Sequence, residues 1–141
     1  GQTEGSPRSA EYQEEIRAAL AECGMPEDLA PGWYPEGFEM VDSAIINSGI
    51  LKSVFYQFEN ADKNLISIQI QTRMLNASPE AGTFEKSDGS AEAYTSNDMV
   101  FYLFSNNGMM TATWADSSTE MVITGNISTD EIKRIIDSIR R

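Results

Sequence analysis

The chain has 141 residues and a net charge of −12, with 22 acidic residues against 10 basic ones, a single cysteine and no histidine. This length predicts one domain, and the acidity excludes proteins that bind nucleic acid through its phosphates or membranes through anionic lipids. The missing imidazole and the lone Cys23 exclude His-based catalysis, an intramolecular disulfide and a thiolate zinc site.

The first residues are polar and lie ahead of any periodic pattern. Residues 1–8 are expected to be a flexible lead, and residues 9–141 are expected to form a single α+β domain. Gly1, in place of an initiating Met, indicates an expressed fragment with a residue left from tag removal. No apolar run reaches the roughly 18–20 residues that a membrane helix requires, and no signal peptide is visible.

The first predicted element is a helix from Ser9 to Cys23. Its apolar residues recur at helical spacing and form one stripe: Tyr12, Ile16, Ala19, Leu20 and Cys23. Gly24 suits the position after the helix end, and Pro26 prevents continuation. Cys23 falls on the stripe, so it is interpreted as a small core residue, since no cation that would activate its thiol lies near it in sequence.

Residues 25–37 are predicted to be a connector without regular structure, because three prolines and two glycines interrupt them. Trp33 and Tyr34 lie in this connector and are the candidate ligand-binding residues. Aromatic rings exposed in a loop can stack on a sugar ring or an apolar ligand. The alternative is that both rings cap one end of the sheet.

The hydrophobic period then changes from helical to two, which predicts strands at Phe38–Ile46, Leu51–Phe58 and Leu65–Thr72. Ile66, Ile68 and Ile70 alternate with polar residues in the third of these strands. The segment Asn60–Asn64 has alternating oxygen side chains, but a calcium loop requires more acids, so the segment is predicted to be a hairpin turn.

Residues 73–90 contain many turn-forming residues and follow no sustained period. Such a long loop is either functional or a disordered excursion, and the sequence favours neither reading.

Four more strands are predicted at Ala91–Thr95, Met99–Ser105, Met109–Ala115 and Thr119–Thr124. The triplet Asn106-Asn107-Gly108 predicts a tight hairpin, because its residues tolerate positive φ. Trp114 lies on the apolar side of its strand and is predicted to be a core residue.

The last predicted element is a helix whose start is marked by Ser128 and Glu131, a capping-box pair. Its isoleucines form a narrow apolar stripe that must dock on the sheet: Ile132, Ile135, Ile136 and Ile139. The fold class is therefore predicted to be α+β, with a curved antiparallel sheet of about six to seven strands. An N-terminal and a C-terminal helix are expected to pack on it.

Short motifs from the connector to the last helix resemble a known family. They are Pro35–Glu39, Trp114-Ala115-Asp116, Met121–Gly125, Ile127-Ser128, Glu131-Ile132 and Ser138-Ile139. Together they resemble the DUF4367 family, bacterial extracytoplasmic domains of unknown function that commonly follow a transmembrane helix. The resemblance implies an outward-facing domain related in shape to curved-sheet domains that bind lipid or sense the state of the cell envelope. It supplies no catalytic residues.

No catalytic, cofactor or metal-binding residues are assigned, because no motif for such chemistry occurs in the sequence. The leading hypothesis is a non-enzymatic extracytoplasmic sensor or binding domain of a membrane-anchored bacterial protein, tethered by an upstream segment and not itself inserted in the membrane. Its partner would be an unknown protein or a small apolar or cell-surface ligand, and not a nucleic acid. Binding is expected on the concave face of the sheet or beside residues 73–90.

Two other hypotheses remain open from the sequence. One is a soluble or lipid-anchored carrier of an apolar ligand, which the sheet and its helices would cradle. The other is an enzyme that uses carboxylates alone.

Overall fold

The computed structural model describes residues 5–73 and 91–140, which contain two helices and seven strands. The helices are α1 (Ser9–Glu22) and α2 (Thr129–Asp137). The strands are β1 (Glu39–Ser48), β2 (Leu51–Glu59), β3 (Leu65–Thr72), β4 (Glu92–Ser96), β5 (Met99–Asn106), β6 (Met109–Ala115) and β7 (Thr119–Gly125). Each lies within two residues of its predicted position at either end.

The seven strands form one sheet in the order β1-β2-β3-β7-β6-β5-β4, and every neighbouring pair is antiparallel. Strands β1–β3 form one meander and β4–β7 form a second. The two meanders meet where β3 pairs with β7 over Ile66–Thr72. The predicted α+β fold with a helix at each end is confirmed.

One face of the sheet carries the core. Its fully or nearly buried side chains are Val54, Tyr56, Phe58, Ile66, Ile68, Ile70, Met99, Phe101, Leu103, Ala112, Trp114, Met121 and Ile123. The predicted alternation in β3 and the burial of Trp114 are both confirmed. The stripes of α1 and α2 join the same cluster, so both helices pack on the apolar face of the sheet.

Helix α1 ends as its sequence predicts. Gly24 adopts a φ of +75°, and the backbone N–H of Met25 donates to the Leu20 carbonyl at 2.9 Å. Cys23 is buried, as predicted, and its thiol points to the Ile46 carbonyl at 3.9 Å. The end of α1 therefore rests beside the first hairpin of the sheet.

The connector contains one regular turn that was not predicted. Glu27–Leu29 forms a single 3-10 turn, in which the N–H of Ala30 donates to the Glu27 carbonyl at 3.2 Å. The turn buries Leu29 completely. Burial of this side chain offsets the poor hydrogen-bond geometry of the turn. The local Pro and Gly pattern does not reveal this burial.

Three hairpins follow from turn chemistry. Asn107 and Gly108 both have positive φ, which confirms the predicted tight turn. Asn97 and Asp98 also have positive φ and form the turn between β4 and β5, although this turn was not predicted from the sequence. Between β2 and β3, the side-chain oxygen of Asn60 accepts two backbone N–H groups, so this loop is a turn as predicted.

Helix α2 begins with the predicted capping box. The Ser128 hydroxyl accepts the Glu131 N–H at 3.1 Å, and the Glu131 carboxylate accepts the Ser128 N–H at 2.9 Å. These bonds satisfy donors that the first turn leaves open. They fix where the helix starts, and hence how its isoleucines meet the sheet.

Docking of α2 is expected to depend on Ile135, which is fully buried. Replacing Ile135 with Ala should lower the free energy of unfolding by about 2–5 kcal/mol, because a core cavity replaces the side chain. The control is Val100→Ala, since Val100 is 41% exposed. It should change stability by less than about 0.5 kcal/mol. Urea unfolding of both variants tests this, and equal losses would contradict the proposed packing.

Candidate functional site

An open pocket lies between the connector and the C-terminal end of α2. Its volume is about 400 Å³, and its walls are formed by Gly32, Trp33, Arg134, Asp137 and Ser138. The sequence separates the two walls by about a hundred residues, so tertiary packing alone brings them together. The pocket includes one of the two aromatic residues that the sequence suggested for ligand binding.

Ser138 holds the connector against the helix. Its hydroxyl oxygen accepts the backbone N–H groups of Gly32 and Trp33 at 2.9 and 3.1 Å. The same hydroxyl donates to the Ile135 carbonyl at 2.6 Å. All hydrogen-bonding capacity of this hydroxyl is therefore used in fixing the pocket wall, and none is left for a nucleophilic role.

Trp33 is half-buried and has two close neighbours. The guanidinium of Arg134 lies 4.5 Å from the centre of the indole ring, at cation–π distance. The backbone of Gly5 also approaches the ring so closely that a Cβ there would lie 2.5 Å from the indole Nε1. Arg134 and the start of the described chain therefore both restrict the position of the ring.

Tyr34 takes a different place from its neighbour. Its ring is completely buried and stacks on Phe58 with ring centres 4.8 Å apart. Its hydroxyl donates to the Pro31 carbonyl at 2.9 Å, and burial raises the pKa of the phenol well above its usual value. A ligand in the pocket cannot reach this ring, so Tyr34 supports the connector from the core and Trp33 alone faces the pocket.

Asp137 links the pocket to the edge strand β4. One carboxylate oxygen accepts the hydroxyl groups of Tyr94 at 2.7 Å and Ser96 at 2.8 Å. The Asn97 side chain donates to the Ile139 carbonyl at 2.7 Å and so caps the end of α2. Lys133 adds an ion pair with Glu92 at 2.7 Å. These contacts hold the pocket's helix wall in place.

The arrangement suits binding better than acid–base chemistry. Ser138 and one oxygen of Asp137 form structural hydrogen bonds, and Arg134 and Trp33 place a charged group and an apolar ring at the pocket wall. Within residues 5–73 and 91–140, no group of three metal-ligating side chains lies close enough to hold an ion. Neither of the two described helices has the length and apolar run needed to cross a bilayer.

Arg134, Asp137 and Ser138 were not predicted as site residues from the sequence. Of the three, only Ser138 is part of the short sequence motifs that resemble a known family. Their spacing does indicate a shared surface. Helical periodicity places all three at the C-terminal end of α2, on the side away from the stripe of Ile132, Ile135 and Ile139. The predicted binding region at residues 73–90 lies, apart from Arg73, outside the described residues.

The chain matches a known protein family. A family model described as "Domain of unknown function (DUF4367)" matches residues 28–139. No curated protein and no solved structure matches the chain. The matched span contains the five described residues that line the pocket, whereas α1 and the residues before it lie outside the span.

The raised pKa of Tyr94, which donates a hydrogen bond to Asp137, predicts that the protein loses stability at alkaline pH. Burial, followed by this hydrogen bond, raises the pKa of Tyr94 to about 12, against about 10 in an unfolded chain. A phenol with a raised pKa stabilises the fold fully below pH 10. It loses that contribution as the pH rises through 12. Stability should therefore fall between about pH 10 and pH 12.

The Tyr94→Phe variant should show a shallower fall over the same pH range. The fall should not vanish, because burial also raises the pKa of Tyr56 to about 12. Tyr102→Phe is the control, since that side chain is 49% exposed. Urea unfolding at a series of pH values gives the slopes. A slope unchanged in Tyr94→Phe would show that the fold does not raise the pKa of Tyr94.

Proposed function

The chain belongs to the DUF4367 family, and on that premise we propose that it is a non-enzymatic, extracytoplasmic binding domain of a membrane-anchored bacterial protein. The pocket bounded by Trp33 and Arg134 is its ligand site. The observation that carries the proposal is the meeting of an indole ring, a guanidinium and a fixed backbone in one open cavity of about 400 Å³. Small-molecule sites have such a mixture of apolar surface and a few placed polar groups.

The charge around the pocket indicates what kind of ligand fits. The chain is strongly acidic, yet four of its ten Lys and Arg residues fall within residues 133–141. Arg134 is exposed at the rim and presents donors that match a carboxylate. We therefore assign to the pocket a small ligand with one carboxylate and an apolar or ring-shaped portion that packs against Trp33.

The start of the described chain lies against the same pocket wall. The N–H of Ser6 donates to the Tyr34 carbonyl at 2.7 Å, and Gly5 pairs with Pro35. Gly5 also contacts the indole of Trp33. A ligand that shifts Trp33 would therefore disturb the residues closest to an upstream anchor. This contact supports a sensor role, because it gives a physical route from the site to the tether.

Ligand binding is testable with Trp33 as the reporter. The chain has two tryptophans, so Trp114→Phe leaves Trp33 alone to emit. Benzoate and N-acetyl amino acids are the probes, and benzamide and the matching amides are the neutral controls. The carboxylates should change the emission saturably and the amides should not. Arg134→Gln should weaken binding about 10–100-fold, because a charge-assisted hydrogen bond is lost.

Two further variants sharpen this experiment. Arg8→Gln is the matched control, since Arg8 also lies over an aromatic ring, 5.3 Å from Tyr12, on a different helix. It should leave binding unchanged. Gly5→Ala should weaken binding, because the new Cβ must displace the Trp33 ring. Equal responses to the carboxylates and their amides would contradict the assigned ligand class.

The proposed location is testable in cells with the full-length gene product. Fusions at the C-terminus should give active alkaline phosphatase and a dark green fluorescent protein, because the former folds outside the cytoplasm and the latter inside it. Protease added to intact cells without a wall should remove the domain. A fluorescent fusion that resists protease would contradict the extracytoplasmic location, while leaving the pocket experiment unaffected.

A further inference from the structure

Exposed aliphatic side chains concentrate on the first hairpin of the sheet. Among the described residues, seven large hydrophobic side chains are exposed, and five of them belong to β1, the turn that follows it and the first residue of β2: Val41, Ile45, Ile46, Ile50 and Leu51. Their exposed fractions run from 40% to 80%. A cluster of this kind on one element marks a protein contact surface, whereas scattered single residues do not.

The same element is an open edge of the sheet. β1 is ten residues long and, among the strands of residues 5–73 and 91–140, pairs only with β2, so no described strand pairs with the backbone donors and acceptors on its other side. After an irregularity between Met40 and Asp42, pairing with β2 runs regularly to Ser48. A long edge of this kind is a template for another strand.

The opposite edge is built differently. β4 has five residues, and its side chains Tyr94 and Ser96 are bound to Asp137 of α2. Glu92 on the same strand pairs with Lys133. A short strand tied to a helix and carrying a charge is the usual form of a protected edge. The sheet therefore has one closed edge and one open edge.

We propose that β1 pairs with β1 of a second copy, antiparallel and centred on Ile45, to form a symmetric dimer with a continuous fourteen-stranded sheet. The strand that fits this edge needs aliphatic side chains on both of its faces. β1 itself has them: Ile45 pairs with Val54 on the helix-covered face, and Ile46 pairs with Ser53 on the other. Pairing of β1 with β1 uses the open edges of both copies and ends at a dimer. Pairing of β1 with β4 of the next copy would instead leave a free edge each time and give an open-ended chain of copies.

This register brings the exposed residues together. With Ile45 opposite Ile45 of the second copy, Ala44 faces Ile46, and Val41 at one end of the strand approaches Ile50 of the other copy. Ile50 is 80% and Val41 52% exposed in the single chain. The arrangement covers both, and gives the exposed turn residue Ile50 an apolar neighbour.

The charge distribution is compatible with this pairing despite the net charge of −12. Between residues 42 and 50, the only charged side chain is Asp42. In the proposed register Asp42 faces Ser48, so the two aspartates are six residues apart along the strands. This is about 20 Å, or roughly twice the Debye length at 0.1 M salt. Repulsion between whole acidic domains remains, so dimerisation should strengthen as salt is added.

Sedimentation velocity of residues 1–141 from about 1 µM to 1 mM tests the proposal. A monomer–dimer equilibrium is expected, with a dissociation constant that falls as ionic strength rises. Ile46→Glu should raise that constant about tenfold or more, because it places an unpaired acid near Asp42 of the second copy. Val100→Glu is the matched control, since Val100 is also on the uncovered face and is exposed to 41% against 47% for Ile46. It should leave the equilibrium unchanged.

Hydrogen exchange identifies the edge involved. In the dimer, alternate backbone amides between residues 42 and 48 should become protected as the protein concentration rises. Far-UV circular dichroism checks that both variants fold. A chain that stays monomeric across the whole range, or a dimer that Ile46→Glu leaves intact, overturns the proposal.

Discussion

The structure depends on how an extended connector crosses between two helices with its backbone polar groups satisfied. Residues 30–34 are buried or half-buried and form no strand, so they have no ladder to accept their hydrogen bonds. Side chains from both helices supply the partners. Ser9 accepts the N–H of Tyr34, Gln13 donates to the Ala30 carbonyl, and Ser138 accepts two N–H groups. The connector is thereby a tie between α1 and α2, and the pocket is the space left beside that tie.

Much of the fold could be predicted because its information is local. Period-two alternation located seven strands, and the Ser128–Glu131 pair located the start of α2, since each signal lies within a few residues of the element it specifies. The turn at Asn97-Asp98 was not predicted, although Asn and Asp tolerate positive φ and could have indicated it. The 3-10 turn depends on burial of Leu29, which no local pattern reveals.

The site was harder to predict, because its residues come together through contacts between distant parts of the sequence. Trp33 was suggested because an aromatic ring exposed in a Pro- and Gly-rich loop can stack on a ligand, and the structure places Trp33 at the pocket. Its neighbour Tyr34 carries the same sequence signal but fills the core, because adjacent residues in an extended chain point to opposite sides. Arg134, Asp137 and Ser138 meet Trp33 only through packing across about a hundred residues of sequence, which a single sequence does not encode in any short motif.

The two-meander sheet has a consequence for how the domain folds. Every strand pair except one joins neighbours along the chain, and the exception is β3 with β7. Only the pairing of β3 with β7 therefore carries the entropic cost of closing a long loop. That step is also sterically exacting, because a Cβ at Gly125 would lie 2.8 Å from the Leu65 carbonyl oxygen. The junction between the two halves thus carries the loop-closure cost of the sheet and leaves no room for a side chain at residue 125.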